Sequence, residues 1–273
     1  MVLQRISPCG GAQSRHVSRV VPGRCGIRPC GLSIPPHPRC PPRAAGIRFG
    51  FSYGRPQFLG FPMRVVLAST SPRRRALLEL LGISFEVCSP SCDECLVPGR
   101  SARESASFFA QAKAHSVAQV DSEAIVLGSD TLIELDGVVI GKPSDLDEAR
   151  KMLRALAGRR HLVHTAVTLS FFPRLIDRTE IETAHVWMKP YDAGAHEQYL
   201  ATGDSLGKAG AYSVQGPGSD LIERLEGDFT AVVGLPLRLV AELLAQAGVL
   251  IPVDIDRLYD SKPFENWARM ARM

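Results

Sequence analysis

The sequence predicts a single α/β domain built on a mixed sheet. Three observations carry that expectation. From Met63 onward, short apolar runs of strand length alternate with segments of helical period. Asp136-Gly137 between two apolar runs signals a tight hairpin, so some strands must pair antiparallel. No internal repeat divides the chain, and its 273 residues fit one large domain or two small ones.

The elements follow in order. Residues 64–68 form a short apolar strand. Ser71 suits an N-cap and Pro72 a first helical position, so a helix runs over 72–81 and stops at Gly82. Residues 85–89 make a second strand. Ser101 and Glu104 have capping-box spacing and open a helix that reaches about residue 119. Residues 124–129 are an apolar strand ending in Asp130, and 131–135 and 138–140 flank the Asp136-Gly137 turn. The next helix starts at 144–147. Its Ala149, Met152, Leu153 and Leu156 share one face, and Gly158 lies just past its end. Residues 161–172 and 178–188 alternate in part and read as a long hairpin, and 191–202 as a helix. Strands are expected at 221–225 and 229–233 around Glu226-Gly227, and a closing helix at 236–248.

Composition bounds the rest. The chain is 45% hydrophobic and 22% charged, as in ordinary globular proteins, and has no apolar run of membrane-spanning length. Its net charge of +4 is unevenly spread. Residues 1–62 hold nine arginines, no lysine and no acid, which leaves −5 on residues 63–273. A mildly acidic domain argues against general nucleic-acid binding. Residues 1–62 also carry ten of the twenty prolines and nine of the 24 glycines, with no sustained period. Such a segment buries too little apolar surface to offset its ordering entropy, so it is expected to be a disordered extension. It lacks the apolar core of a secretory signal, its prolines oppose an amphipathic transit helix, and Met63 directly precedes the first strand. Met63 is therefore read as the functional start, with a basic nucleic-acid-binding tail as the alternative. The domain is expected over 63–248 and a C-terminal tail over 249–273. Seven cysteines at irregular spacing include Cys92 and Cys95 as a lone C-x-x-C pair, read as reduced thiols rather than a zinc or redox centre. The expected compartment is the cytoplasm.

The chemistry concentrates in a few places. Ser69, Thr70 and Ser71 supply hydroxyls at a strand-to-helix turn, and Arg73 and Arg74 supply forked donors. The first turn of a helix leaves N–H groups unpaired and adds positive potential, so this turn suits a phosphate. Cations at a helix N-terminus are unfavourable without an anion, and no Walker loop is present. Asp130 at the end of an apolar strand stands where open α/β sheets place ligands, and a carboxylate there can hold a metal or accept a proton from water. Lys142 follows the hairpin, and Lys113 lies one helical turn beyond Phe109 beside the apolar stripe.

Taken together, the motifs resemble the Maf family of nucleotide pyrophosphatases. The family's S-x-S-x-R-R is met by Ser69, Ser71, Arg73 and Arg74, and its G-A-D-T by Gly128, Ser129, Asp130 and Thr131, with serine for alanine. Its G-K-P is Gly141, Lys142 and Pro143. Its K-A-G-A-Y-G-I-Q-G runs from Lys208 to Gly216, with Ser213 replacing a glycine. Its G-D-Y and V-x-G-L-P are answered by Gly227, Asp228 and Phe229 and by the stretch ending at Pro236. The resemblance implies an elongated mixed sheet flanked by helices, Maf/ITPase-like, with a central cleft. It implies hydrolysis of a nucleoside triphosphate to the monophosphate and pyrophosphate with a divalent cation, Mg²⁺ or Mn²⁺, in the house-cleaning of nucleotide pools. It further implies a homodimer, with no membrane and no specific nucleic acid as partners.

By the same resemblance Asp130 activates the attacking water and Glu94 helps hold the metal. Lys113, Lys142 and Lys208 line the cleft, and Arg73, Thr131 and Gln215 match positions linked to substrate choice. One subgroup acts on dTTP and UTP. Another prefers 7-methyl-GTP and carries an acid where Gln215 stands. A glutamine amide both donates and accepts, which suits a pyrimidine imide edge, so dTTP and UTP are the expected substrates. The alternatives are a pyrophosphatase for 7-methyl-GTP or for deaminated purines such as ITP and XTP, and a non-catalytic nucleotide-binding regulator of cell division.

Overall fold

A computed structural model of the protein describes residues 63–271. The expectations placed on residues 1–62 lie outside the described residues. One seven-stranded sheet organises the domain: β1 (Val65–Ala68), β2 (Glu86–Cys88), β3 (Ile125–Leu135), β4 (Val138–Ile140), β5 (Arg160–Phe171), β6 (Ile176–Met188) and β7 (Ile222–Glu226). Their order is β2-β1-β3-β5-β6-β7, and β4 pairs with β3. The β1 pairings with β2 and β3 are parallel and all others antiparallel, so the sheet is mixed as expected.

The helices are α1 (Pro72–Glu79), α2 (Ala102–Ala118), α3 (Leu146–Leu156), α4 (Ala193–Ala201), α5 (Phe229–Val233), α6 (Leu237–Gln246), α7 (Ile255–Ser261) and α8 (Glu265–Met270). Local chemistry accounts for their starts. Ser71 accepts from the Arg74 N–H and Pro72 occupies the first turn of α1. Ser101 and Glu104 form the reciprocal capping box of α2. At the β3–β4 turn both Asp136 and Gly137 have positive φ, 51° and 79°, which is the mirror-image turn that matches strand twist.

Two elements differ from the sequence expectation. Residues 229–233 are a short helix, not a strand. Asp228 caps it by accepting from the Thr230 N–H, and Gly234, at φ 127°, ends it. Residues 124–129 and 131–135 are not two strands, because β3 continues through Asp130 for 11 residues. Asp130 is thus inside a strand, two residues beyond the point where Gly128 pairs with the last residue of β1.

The core has two sides. The larger cluster packs α1, α3, α5 and α6 on one face, with Leu67, Leu127, Leu153, Val167 and Leu244 fully buried. The other face is covered by α2, whose Ala106, Ala110 and Ala114 are flush with the sheet. The approach is close. A Cβ on Gly128 would stand 2.3 Å from the Ala110 carbonyl oxygen, so only glycine fits there. That contact brings α2 near enough for its next inward side chain, Lys113, to reach β3. Among the described residues no helix is long and apolar enough to cross a membrane. Cys88, Cys92 and Cys95 form no disulfide.

Candidate active site

The site lies in a gap along β3. On one edge, β1 pairs with residues 125–128 and β4 with residues 133–135. Between them, Ser129 to Leu132 pair with β5 only. The turn leaving β1, residues 69–74, and the turn leaving β4, Gly141 and Lys142, both open onto this gap. The result is a cleft of about 550 Å³, within the ordinary range for small-molecule sites.

Side chains alternate across β3, so the cleft draws on both faces of the sheet. On the α2 face, Lys113 Nζ stands 2.6 Å from Asp130 Oδ1 and 2.7 Å from Glu94 Oε1. Lys113 and Asp130 side chains are each 7% exposed, whereas Glu94 is 41% exposed. Lys142 Nζ approaches the other Glu94 oxygen at 3.6 Å. Burial raises the Glu94 pKa, but Lys113, Lys142 and Arg74 outweigh it, and the carboxyl is held below its usual range.

On the opposite face a hydrogen-bonded relay fixes the turn leaving β1. Arg74 Nε donates to the Gly234 carbonyl at 2.8 Å, and its two terminal nitrogens reach Ser69 Oγ at 3.5 Å and Thr131 Oγ1 at 3.3 Å. Thr131 meets Thr165 at 2.9 Å, and Thr165 donates to the Ala231 carbonyl at 2.7 Å. Ser129 also donates to Gly234, at 3.0 Å. Burial lowers the Arg74 pKa against the pull of Asp130 and Glu94. Arg74 is therefore built into the scaffold. Arg73 also lines the cleft, and among the described residues it has no hydrogen-bond or ion-pair partner. The two arginines thus differ in their surroundings: Arg74 is fixed to the Gly234 carbonyl, and Arg73 lies along the cleft.

The structure gathers ten of the eleven sequence-predicted site residues around the cleft: Ser69, Ser71, Arg73, Arg74, Glu94, Lys113, Asp130, Thr131, Lys142 and Lys208. Lys208 is tethered to its own loop by Asp204, with Nζ 2.8 Å from Oδ1. Gln215 does not line the cleft. It is half-buried, one residue past Val214, which does. Sequence reasoning did not assign roles to Thr165, Ser129 or Gly234. The first two carry no distinguishing pattern within strands, and Gly234 serves through its carbonyl, which no residue type reveals.

Apart from Thr70 and Ser213, the remaining lining is largely apolar and includes Phe109, Ile133, Val163, Tyr212, Val232 and Val233. The cleft thus has a cationic, hydroxyl-rich pole and an apolar pole. Tyr212 is held from beneath by His161, with Nε2 2.7 Å from the hydroxyl. Burial lowers the His161 pKa to about 4, and among the described residues its buried Nδ1 has no hydrogen-bond partner to stabilise a protonated ring. An unfolded histidine titrates near 6.5, so the unfolded chain binds a proton that the folded chain refuses. Stability from this group is complete above about pH 6.5 and is lost as pH falls toward 4, by about 3 kcal/mol at most. Urea unfolding across that range should show the decline, and His161→Gln should flatten it. An unchanged slope in the variant places the effect elsewhere.

Among the described residues no group of three or more His, Cys, Asp or Glu side chains is arranged to hold a metal ion, so a divalent cation would rest on two carboxylates and the substrate. Hard oxygens from Glu94 and Asp130 converge on one point, where the Lys113 ammonium stands. Two carboxylates completed by substrate phosphates are an ordinary magnesium donor set.

The family model described as Maf-like protein matches residues 64–247. A dTTP/UTP pyrophosphatase of Pelotomaculum thermopropionicum is 42% identical over 184 residues, covering 67% of this chain and 96% of that one. A dTTP/UTP pyrophosphatase of Thermus thermophilus is 42% identical over 188 residues, covering 67% and 95%. One of Methanosarcina barkeri is 39% identical over 189 residues, covering 69% and 96%. Among solved structures, the Staphylococcus aureus Ham1 protein matches with a TM-score of 0.35 at 16% identity, over 46% of this chain and 71% of that one. With its domain matched almost end to end, this chain belongs to the Maf-like protein family.

Proposed function

We propose that the protein is a nucleoside triphosphate pyrophosphatase acting on dTTP and UTP. The observation that carries the reading is the Lys113 ammonium bridging Asp130 and Glu94 on the floor of a cleft whose rim presents Arg73 and the Ser69–Ser71 hydroxyls. The names of the 39–42% identical relatives supply the substrates.

The cationic pole takes the β- and γ-phosphates and the apolar pole the nucleoside. Water held at Asp130 attacks the α-phosphorus and gives its proton to the carboxylate. The bond from the α-phosphorus to the bridging oxygen breaks, and pyrophosphate leaves with the electron pair. Negative charge grows on that leaving group, beside Arg73 and the N–H groups opening α1, where fixed donors stabilise it most. Lys113 orients Asp130 and offsets its charge. When bound, a Mg²⁺ or Mn²⁺ ion would be held by Glu94 and Asp130 and would supply further charge neutralisation. The homodimer, the metal and the cytoplasmic location belong to the same proposal and rest on the family resemblance.

The test is product analysis with dTTP, UTP, CTP, GTP, ITP and 7-methyl-GTP, with and without Mg²⁺ or Mn²⁺. Pyrophosphate with TMP or UMP is expected. Preference for ITP or 7-methyl-GTP retains the reaction and overturns the substrate assignment. Saturable binding without turnover overturns the enzyme. Gln215 stands one residue past the cleft-lining Val214 and is proposed to act on base choice through that loop, so Gln215→Glu should lower the dTTP-to-GTP ratio of kcat/KM by about three- to fivefold. A ratio within twofold of wild type removes Gln215 from base reading.

A further inference from the structure

The family match ends at residue 247, yet the chain continues into α7 and α8, which pack against the cleft's walls. Trp267 is 5% exposed and stacks on Phe229 of α5, with ring centroids 5.4 Å apart and planes 6° from parallel. The Tyr259 ring meets it edge-on at 4.9 Å. The Tyr259 hydroxyl donates to Asp228 Oδ2 at 2.8 Å, and the other oxygen of that carboxylate caps α5. The tail therefore grips α5 at its start and on its flank. The last turn of α5 carries Val232 and Val233 into the cleft, and Gly234 follows with the carbonyl that holds Arg74.

A second set of contacts reaches another wall. Asn266 Nδ2 donates to the Gly216 carbonyl at 3.4 Å, and Arg269 binds Asp220 Oδ1 at 2.6 Å and the Ser219 hydroxyl. These residues belong to the segment that begins with the cleft-lining Ser213 and Val214. One short helix, α8, thus touches both elements that flank the apolar pole. Among the described residues, α8 makes no hydrogen bond or ion pair with the Ser69–Arg74 turn, Lys113 or Asp130.

We infer that the C-terminal segment positions the nucleoside end of the cleft: α8 fixes the distance between α5 and the 213–221 segment, and that distance governs how tightly a nucleoside is held. The inference rests on the reading that the cleft binds a nucleoside triphosphate. Asn266 and Arg269 are positioning residues, since neither lines the cleft.

The test uses the full chain and reads binding separately from turnover. In the Asn266→Ala, Arg269→Ala double variant, the calorimetric Kd for UTP should rise about five- to tenfold, with kcat within twofold. Inorganic tripolyphosphate, which engages the cationic pole alone, should inhibit as in wild type. Trp267→Ala should shift UTP binding in the same way, and Trp267→Phe, which retains a ring over Phe229, should restore it. Wild-type UTP binding in both variants makes the tail a stability element and overturns the inference. Parallel weakening of UTP and tripolyphosphate overturns it as well, because the effect then spans the whole site. A wild-type protein that binds no UTP instead overturns the functional reading beneath it.

Discussion

Asp130→Asn is expected to lower kcat for UTP about 10³-fold while leaving the Kd for UTP within about threefold. Asparagine retains the volume and an oxygen for Lys113, but it cannot accept a proton at neutral pH. Binding persists because Arg73, the serine hydroxyls and Lys142 remain on the rim. Single-turnover kinetics alongside a binding titration separates the two quantities. Activity within tenfold of wild type removes Asp130 from proton transfer. Equal losses of binding and turnover make it a ligand-holding group only.

Lys113→Met is the second large effect, and it strikes stability as well as rate. The ammonium is buried between two carboxylates. Its removal leaves the 7%-exposed Asp130 without its ion-pair partner, and truncating one member of a buried pair typically destabilises by about 3–5 kcal/mol. Glu94 is more exposed and can turn to solvent, so the lower end, about 3 kcal/mol, is expected in urea unfolding. Added Mg²⁺ should recover part of the loss if the two carboxylates converge as the ammonium position indicates. Turnover should fall at least about 10²-fold, since Asp130 loses its orienting partner. A destabilisation below about 1 kcal/mol contradicts the buried-bridge account.

Much of the scaffold was legible because its signals are local. Ser71 with Pro72, the Ser101–Glu104 box and Asp136-Gly137 each specify a cap or turn through a few adjacent atoms, and each is realised. Residues 229–233 misled for the opposite reason. Phe229, Thr230 and the paired valines favour strands by side-chain shape, but the Asp228 cap and packing by Trp267 favour a helical turn. The continuity of β3 through Asp130 was equally hidden. A carboxylate reads as a strand end unless a cation can reach it, and that cation comes from α2, held close by the glycine at 128.

The candidate site divides along the same line. Residue types such as Asp130, Lys113 and the arginine pair stood out as chemistry in a suggestive order. Their relations did not. Nothing in adjacent arginines distinguishes Arg74, bound to Gly234, from Arg73, which has no hydrogen-bond partner among the described residues. The apolar pole draws on β3, β5, α5 and the loop before Gln215, elements distant in sequence, and the tail that braces it has no sequence motif.

The most direct measurement is turnover of UTP in ¹⁸O-labelled water, with mass analysis of both products. Attack at the α-phosphorus by water held at Asp130 predicts UMP carrying one ¹⁸O and pyrophosphate carrying none. Label in the pyrophosphate, or release of UDP with orthophosphate, would contradict the account.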